Sequence, residues 1–157
     1  VNYSLYKNKK LTRLIKLFYK YQGSNIIDKI DKISFEFNLS NSYVNGYEYY
    51  SCTSDKGLGR YNKEGYLKLR NKYNHMTIDN EEKDFLLLTL IVYCFNNQIR
   101  FNDNGHFNMP VGKRDLNNSM RNNIKNFSSK LKGKKILIKS IYLISMLLLY
   151  IVILHII

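Results

Sequence analysis

The chain has 157 residues, with 25 Lys and Arg against 12 Asp and Glu, which gives a formal charge of +13. Because 45% of its residues are apolar, it can build a core, and disorder along the whole chain is excluded. The length suits one domain or a piece of a larger one. The charge predicts an anionic partner, either nucleic acid or an anionic lipid surface, unless it reflects only a lysine-rich composition.

Cysteine usage and the N-terminal residues bear on the cellular compartment and on whether the chain is a fragment. Cys52 and Cys94 match no metal or redox spacing, so we expect free thiols in a reducing compartment. We find no N-terminal signal peptide, which favours a cytoplasmic location. The first residue is Val rather than Met, which suggests a fragment.

Apolar residues at helical spacing predict two helices before residue 40. The first contains Leu11, Leu14, Ile15, Phe18 and Tyr21, and the second contains Ile26, Ile30, Ile33 and Phe37. We expect Asn25 to cap the second helix at its N-terminus. The following stretch, from Leu39 to Asn62, is rich in Ser, Asn, Gly and Tyr and predicts a long irregular loop.

Three further helices are predicted after residue 62. A short one covers 63–73, and a stronger one begins at Asp79, where Asp79 and Glu82 resemble a capping box. Its run from Phe85 to Phe95 is apolar on nearly all sides, which indicates a buried central helix too short to span a bilayer. The last helix has Asn117 or Asn118 as its cap and the stripe Met120, Ile124, Phe127 and Leu131.

The segment between these helices predicts a β-hairpin around the turn signal Asn104-Gly105. Strand alternation divides its side chains between two faces. The apolar face has Ile99, Phe101, Phe107, Met109 and Val111, and the polar face has Gln98, Arg100, Asn102, His106 and Asn108. Gln, Arg and Asn are the side chains that read base edges bidentately, so the polar face predicts a DNA contact.

The same segment resembles the target-recognition region of the DNA adenine methylases related to Dam. The sequence runs Phe95-Asn-Asn-Gln-Ile-Arg-Phe-Asn102 and then Gly105-His-Phe-Asn-Met-Pro-Val-Gly-Lys-Arg114, against a family pattern close to F-N-G-L-x-R-x-N…G-x-F-N-V-P-x-G. The resemblance covers about residues 10–132, with the motif confined to the hairpin. Asn97 and Gln98 depart from the Gly and Leu of the family pattern.

The resemblance implies methylation of the adenine amino group by S-adenosylmethionine, with the hairpin in the major groove of double-stranded DNA. It implies that Arg100 contacts a guanine, that Asn96 lies at the recognition surface and that Pro110 packs near a thymine methyl group. An Arg fork on guanine is the commonest specific contact. The full set of expected DNA contacts is Asn96, Asn97, Gln98, Arg100, Asn102, Asn108, Pro110, Lys113, Arg114 and Arg121, of which Lys113, Arg114 and Arg121 are expected to touch phosphates.

Two motifs that the family uses for methyl transfer are missing. The cofactor loop Phe-x-Gly-x-Gly is not found, and Gly57-Leu-Gly59 is a weak substitute for it. The motif Asp-Pro-Pro-Tyr cannot occur, because Pro110 is the single proline. We therefore expect no bound S-adenosylmethionine and no catalytic residue in this chain, and we interpret it as a truncated adenine-specific DNA methyltransferase that retains DNA recognition. The alternative is a non-catalytic DNA-binding module that acts by itself or complements a separate catalytic chain.

The fold class expected from these elements is mostly α with a β-hairpin, as the recognition region of an α/β methyltransferase, followed by an apolar helix-like tail. We divide the chain into a helical recognition region, 1–135, and an apolar tail, 136–157. The tail is either an out-of-frame reading of AT-rich DNA, which we favour, or a transmembrane helix that would anchor a small basic membrane protein. A buried core helix is the third alternative.

Overall fold

A computed structural model of the protein describes residues 3–132. This part of the chain is helical. Its six α-helices are α1 (Tyr3–Lys20), α2 (Gly23–Glu36), α3 (Ser42–Asn45), α4 (Gly59–His75), α5 (Glu81–Tyr93) and α6 (Asn118–Lys132). Two short 3-10 turns cover Glu48–Tyr50 and Phe95–Asn97.

Helix α5 is the centre of the fold, as its apolar run predicts. Every residue from Lys83 to Tyr93 is buried, and α5 packs against α1, α2 and α4. Its predicted start is wrong, because Asn80 is the cap, with its side chain accepting a hydrogen bond from the Lys83 N–H at 2.9 Å. Asp79 instead accepts a hydrogen bond from the ammonium of Lys10 at 2.9 Å. The helix also ends at Tyr93, so Phe95 lies outside it.

Helix α6 packs against α1 and α2, and these helices bury the apolar stripes that their sequences predict. Leu11, Leu14, Ile15 and Phe18 of α1 and Met120, Ile124, Phe127 and Leu131 of α6 are buried. Asn117 caps α6, accepting from the Met120 N–H at 2.9 Å. The expected cap of α2 is wrong: this helix starts at Gly23, two residues before Asn25, with Gln22 as its N-cap. An added Cβ at Gly23 would lie 3.0 Å from the Cα of Lys125, because α2 and α6 pack closely there.

The stretch 39–62 is not the long irregular loop that its composition predicts. It contains α3, one 3-10 turn and the start of α4, which begins at Gly59 rather than at residue 63. The carboxylate of Asp115, which is fully buried, fixes this stretch by accepting hydrogen bonds from the Ser40 hydroxyl and from the Ser42 N–H and hydroxyl at 2.6–2.8 Å. Because Asp115 lies more than 70 residues away in sequence, local composition does not indicate this contact.

The predicted β-hairpin is also wrong, since the described residues contain no strand. In its place, 95–114 forms a turn with two isolated antiparallel bridges, Phe101 with Phe107 and Cys94 with Val111. The two sides of the turn pair through scattered backbone hydrogen bonds, such as that from the Asn108 N–H to the Arg100 carbonyl at 3.1 Å, and at the tip a side chain takes the place of a backbone partner. The Asn102 amide oxygen accepts from the His106 N–H at 3.0 Å, for example.

The remaining expectations concern the cysteines and the tail. Cys52 and Cys94 are free, as predicted, and burial raises the pKa of the Cys94 thiol to about 12. The apolar tail, 136–157, lies outside the described residues. Between residues 3 and 132, no helix has the length and apolar character needed to cross a membrane.

Candidate DNA interface

The segment 95–114, which we call the reading segment, presents the two faces that its alternation predicts. The apolar residues Ile99, Phe101, Phe107 and Met109 are 1–5% exposed and belong to the core. Gln98, Arg100, Asn102, His106 and Pro110 are exposed, while Asn108 and Val111 are half-buried. The polar edge therefore faces solvent although no regular ribbon supports it.

Arg100 is held in place by Asn108 across the turn. Its Nε donates to Asn108 Oδ1 at 2.8 Å, and its Nη2 donates to the Asn108 carbonyl at 3.0 Å. These two bonds use one edge of the planar guanidinium. The other edge, formed by Nη1 and the second hydrogen of Nη2, can still donate two parallel hydrogen bonds, the geometry that a guanine O6/N7 pair accepts.

Asn102 and Gly105 shape the tip of the turn. The Asn102 side-chain oxygen accepts from the N–H groups of Asn104 and His106, both at 3.0 Å. Gly105 has a φ of +76°, a conformation that few other residues adopt without strain. The hydroxyl of Tyr6 on α1 donates to the Gly105 carbonyl at 2.9 Å. The side chain of Asn102 is exposed, but its amide oxygen already accepts two hydrogen bonds within the turn.

Asn96 and Asn97 turn the chain sharply after α5, and both have a left-handed φ, at 54° and 51°. The side chain of Asn97 is buried, and its Nδ2 donates to the carbonyls of Ile91 and Val92 at 3.0 Å. It therefore satisfies carbonyls that the end of α5 leaves unpaired. Asn96 is exposed, so the structure brings Asn96 but not Asn97 to the polar edge.

The three cations expected at phosphates lie in different environments. Lys113 is exposed, and Arg114 is half-buried with its Nε 3.5 Å from Asp55. Arg121 is 7% exposed and forms a bidentate ion pair with Asp31 at 2.7 and 2.9 Å. Its guanidinium also lies 4.4 Å from the centroid of the Tyr43 ring. Lys113 and Arg114 are therefore at least partly accessible to solvent, whereas Arg121 lies inside the bundle.

One exposed aromatic residue next to the polar edge is missed by the sequence reasoning. Phe95 is 43% exposed, and its N–H donates to the Pro110 carbonyl at 2.9 Å. Sequence reasoning assigns Phe95 to the core because it ends the apolar run of α5. The Asn pair that follows, at positions that tolerate left-handed φ, is the signal that could have placed it outside the helix.

The glycines at 57 and 59 do not fit a cofactor loop. An added Cβ at Gly59 would lie 2.8 Å from the Gly112 carbonyl oxygen, and one at Gly57 would lie 3.2 Å from Cys52 Sγ. Each glycine packs closely against another part of the chain on that side, and the surrounding residues lack the Phe-x-Gly-x-Gly pattern of a cofactor loop. Within 3–132, no three His, Cys, Asp or Glu residues are grouped to hold a metal ion.

Comparison with known proteins finds relatives that are named as methylases or methyltransferases. Type II methyltransferase M.FokI of Planomicrobium okeanokoites is 44% identical over 57 residues, which cover 36% of this chain and 8% of that protein. Modification methylase StsI of Streptococcus sanguinis is 27% identical over 157 residues, covering 84% and 23%. The DNA N-6-adenine-methyltransferase of Escherichia phage P1 is 41% identical over 51 residues, covering 32% and 7%.

A family model also matches most of the chain. The chain spans less than a quarter of the length of the relatives just named. Residues 14–142, most of its length, match the family described as D12 class N6 adenine-specific DNA methyltransferase. The parent family acts on DNA and, as methyltransferases, uses S-adenosylmethionine. The chain belongs to the D12 class of N6 adenine-specific DNA methyltransferases.

Proposed function

We propose that this chain supplies the sequence-reading part of an adenine-specific DNA methyltransferase, with the reading segment docked in the major groove of duplex DNA. The observation that carries the proposal is the solvent-facing guanidinium of Arg100, aligned by two hydrogen bonds to Asn108. A side chain aligned before binding loses less conformational entropy when it meets a base. Its remaining edge matches guanine, as the resemblance to the Dam-related enzymes implies.

The neighbours of Arg100 suit the other expected contacts. Gln98 and Asn96 are exposed amides, the side-chain type that pairs with adenine. Pro110 is exposed and apolar, as contact with a thymine methyl group requires. Lys113 and Arg114 follow directly, where phosphate contacts would fix the register without reading sequence. The side chains of Asn97 and Arg121 are buried and are left out of the proposed contacts.

We infer that methyl transfer requires residues beyond these 157, on the same polypeptide or on a complementing chain. The sequence has one proline and therefore no Asp-Pro-Pro-Tyr, and its glycines at 57 and 59 are packed against the chain itself. No step of the methyl transfer is assigned to this chain. A DNA substrate favours a cytoplasmic location, and the similarity to a protein named as a modification methylase supports a role in a restriction-modification system.

The proposal is tested by the sequence preference of the full chain. Duplexes with a randomised core are incubated with the protein, and the retained fraction is sequenced. We expect enrichment of one short motif containing a G·C pair, and Arg100→Ala should relax discrimination at that pair by about tenfold. Retention without enrichment, or an Arg100→Ala variant with unchanged preference, would overturn the proposal. Methyl transfer from S-adenosylmethionine by this chain alone would overturn the inference on catalysis.

A further inference from the structure

The reading segment has a first arm, 98–102, before its turn and a second arm, 106–110, after it. One face of α4 holds the second arm by side-chain hydrogen bonds. Tyr66, Arg70 and Asn74 are spaced by four residues, so they lie on one side of the helix, and we call them the anchoring stripe. The hydroxyl of Tyr66 and Nη1 of Arg70 both donate to the Met109 carbonyl, at 2.7 and 3.0 Å. Asn74 donates to the Phe107 carbonyl at 3.0 Å and accepts from the Phe107 N–H at 2.8 Å.

These contacts lie on the side of the second arm where, in a β-sheet, a neighbouring strand would pair. In an extended arm, successive residues direct their backbone groups to opposite sides. The N–H of Asn108 points to the first arm, where it donates to the Arg100 carbonyl at 3.1 Å. The groups of Phe107 and Met109 point the other way, where an uncovered edge would be left unpaired. The anchoring stripe pairs this edge, so α4 replaces a strand.

The anchoring stripe fixes the residues on both sides of Asn108. Phe107 precedes Asn108 and Met109 follows it, and both carbonyls are bonded to α4. Asn108 in turn aligns Arg100 through Oδ1 and its carbonyl. Tyr66 is fully buried, and burial raises the pKa of its hydroxyl, which keeps it a donor. A continuous series of contacts therefore runs from α4 through Asn108 to the guanidinium.

We propose that Tyr66, Arg70 and Asn74 are positioning residues that set the sequence discrimination of the reading segment without touching DNA bases. The inference rests on the proposed function and extends it to α4. It implies that loosening the Phe107 anchor shifts Asn108, misaligns Arg100 and reduces the preference for the correct base pair. Affinity that comes from phosphates should be unaffected, because Lys113 and Arg114 lie outside the anchored arm.

Asn74→Ala tests the inference most directly. It removes both bonds to Phe107, while the buried Phe107 ring and the two donors on Met109 keep the arm attached. The measured quantity is the ratio of affinities for the enriched duplex and for the same duplex with the G·C pair replaced. Because Asn74 acts only through Asn108, we expect this ratio to fall by about threefold to fivefold, with binding to an unrelated duplex within about twofold of the wild type. The matched control is Asn71→Ala, at an exposed position on the same helix, which should keep the wild-type ratio.

Asn74→Asp keeps the inference testable if a thermal melt shows that Asn74→Ala is not folded at the assay temperature. Aspartate retains the acceptor for the Phe107 N–H but loses the donor to the carbonyl, so we expect an intermediate ratio. Its added charge weakens binding to every duplex alike and cancels in the ratio. A wild-type ratio in the folded Asn74 variants, or equal losses on all duplexes, would overturn the inference.

If Arg100→Ala relaxes discrimination as expected while the Asn74 variants do not, only the role of α4 is overturned. Unchanged discrimination in Arg100→Ala overturns the proposed function instead.

Discussion

The Nε of Arg100 lies 2.8 Å from Oδ1 of Asn108, across the turn of the reading segment. An unpaired arginine on an exposed surface samples many rotamers, and ordering it on binding costs roughly 0.5–1.5 kcal/mol. If Arg100 meets a base as proposed, the bonds to Asn108 reduce that cost. In that case Asn108 contributes to recognition by aligning Arg100, in addition to any contact that Asn108 itself makes with DNA.

We expect Asn108→Ala to lower discrimination at the base pair read by Arg100, but by less than Arg100→Ala does. The guanidinium remains in the variant, so the guanine contact can still form after the side chain is ordered. A loss of about 1 kcal/mol, roughly fivefold, is expected against 1–3 kcal/mol for the arginine itself. Competition between duplexes that differ at one base pair measures both values. Equal effects of the two variants would show that Asn108 contacts the base pair as strongly as Arg100.

Lys113 should contribute to binding on every sequence alike. It is exposed directly after the polar edge, where a phosphate contact releases counterions but reads no base. Lys113→Ala should weaken binding to all duplexes and reduce the slope of log affinity against log salt by about 0.9. Lys16→Ala, at an exposed position on α1, is the control with an unchanged slope. A sequence-dependent loss in Lys113→Ala would instead place this lysine at a base.

The helices and the two faces of the reading segment follow from the sequence because both depend on local periodicity. The apolar runs of α1, α5 and α6 bury the residues that their spacing predicts, and Ile99 and Phe107 face the core as alternation requires. The sequence does not reveal which polar side chains form hydrogen bonds with unpaired backbone groups. The contacts from Asp115 to Ser42 and from Asn74 to Phe107 join residues 73 and 33 positions apart.

Arg121 illustrates the same limit within the candidate site. Its position off the apolar stripe of α6 favours a solvent-facing cation, and the resemblance adds a phosphate role. Asp31 of α2, 90 residues away, takes up its guanidinium. Charge alone cannot separate a buried ion pair from a phosphate contact, since both use the same side chain. The partner becomes visible only after α2 and α6 are packed together.

Asn97 should contribute to stability rather than to DNA binding. Asn97→Ala removes two hydrogen bonds to the Ile91 and Val92 carbonyls and places Ala at a φ of 51°. We expect the free energy of unfolding to fall by about 2–4 kcal/mol. Asn97→Gly restores the residue of the family pattern and avoids the left-handed strain, so it should be about 1 kcal/mol more stable than the Ala variant. Urea unfolding of the three proteins tests this order, and an Ala variant as stable as the wild type would contradict it.

Asp79 should make the stability of the bundle depend on pH in the acid range. The hydrogen bond from the Lys10 ammonium lowers the pKa of the Asp79 carboxyl below its ordinary value of 3.8. Because the unfolded chain then takes up the proton first as pH falls, the stabilisation is present above pH 3.8 and disappears as pH drops through the lower folded value. Asp79→Asn should therefore be less stable than the wild type at pH 7, by about 1–2 kcal/mol. Urea unfolding at a series of pH values should show the two proteins converging in acid. Asp103→Asn, in the exposed turn, is the control, and its stability should follow that of the wild type at every pH. If Asp79→Asn remains less stable than the wild type by the same amount below the folded pKa of Asp79, the carboxyl stabilises the fold by packing and not by its charge.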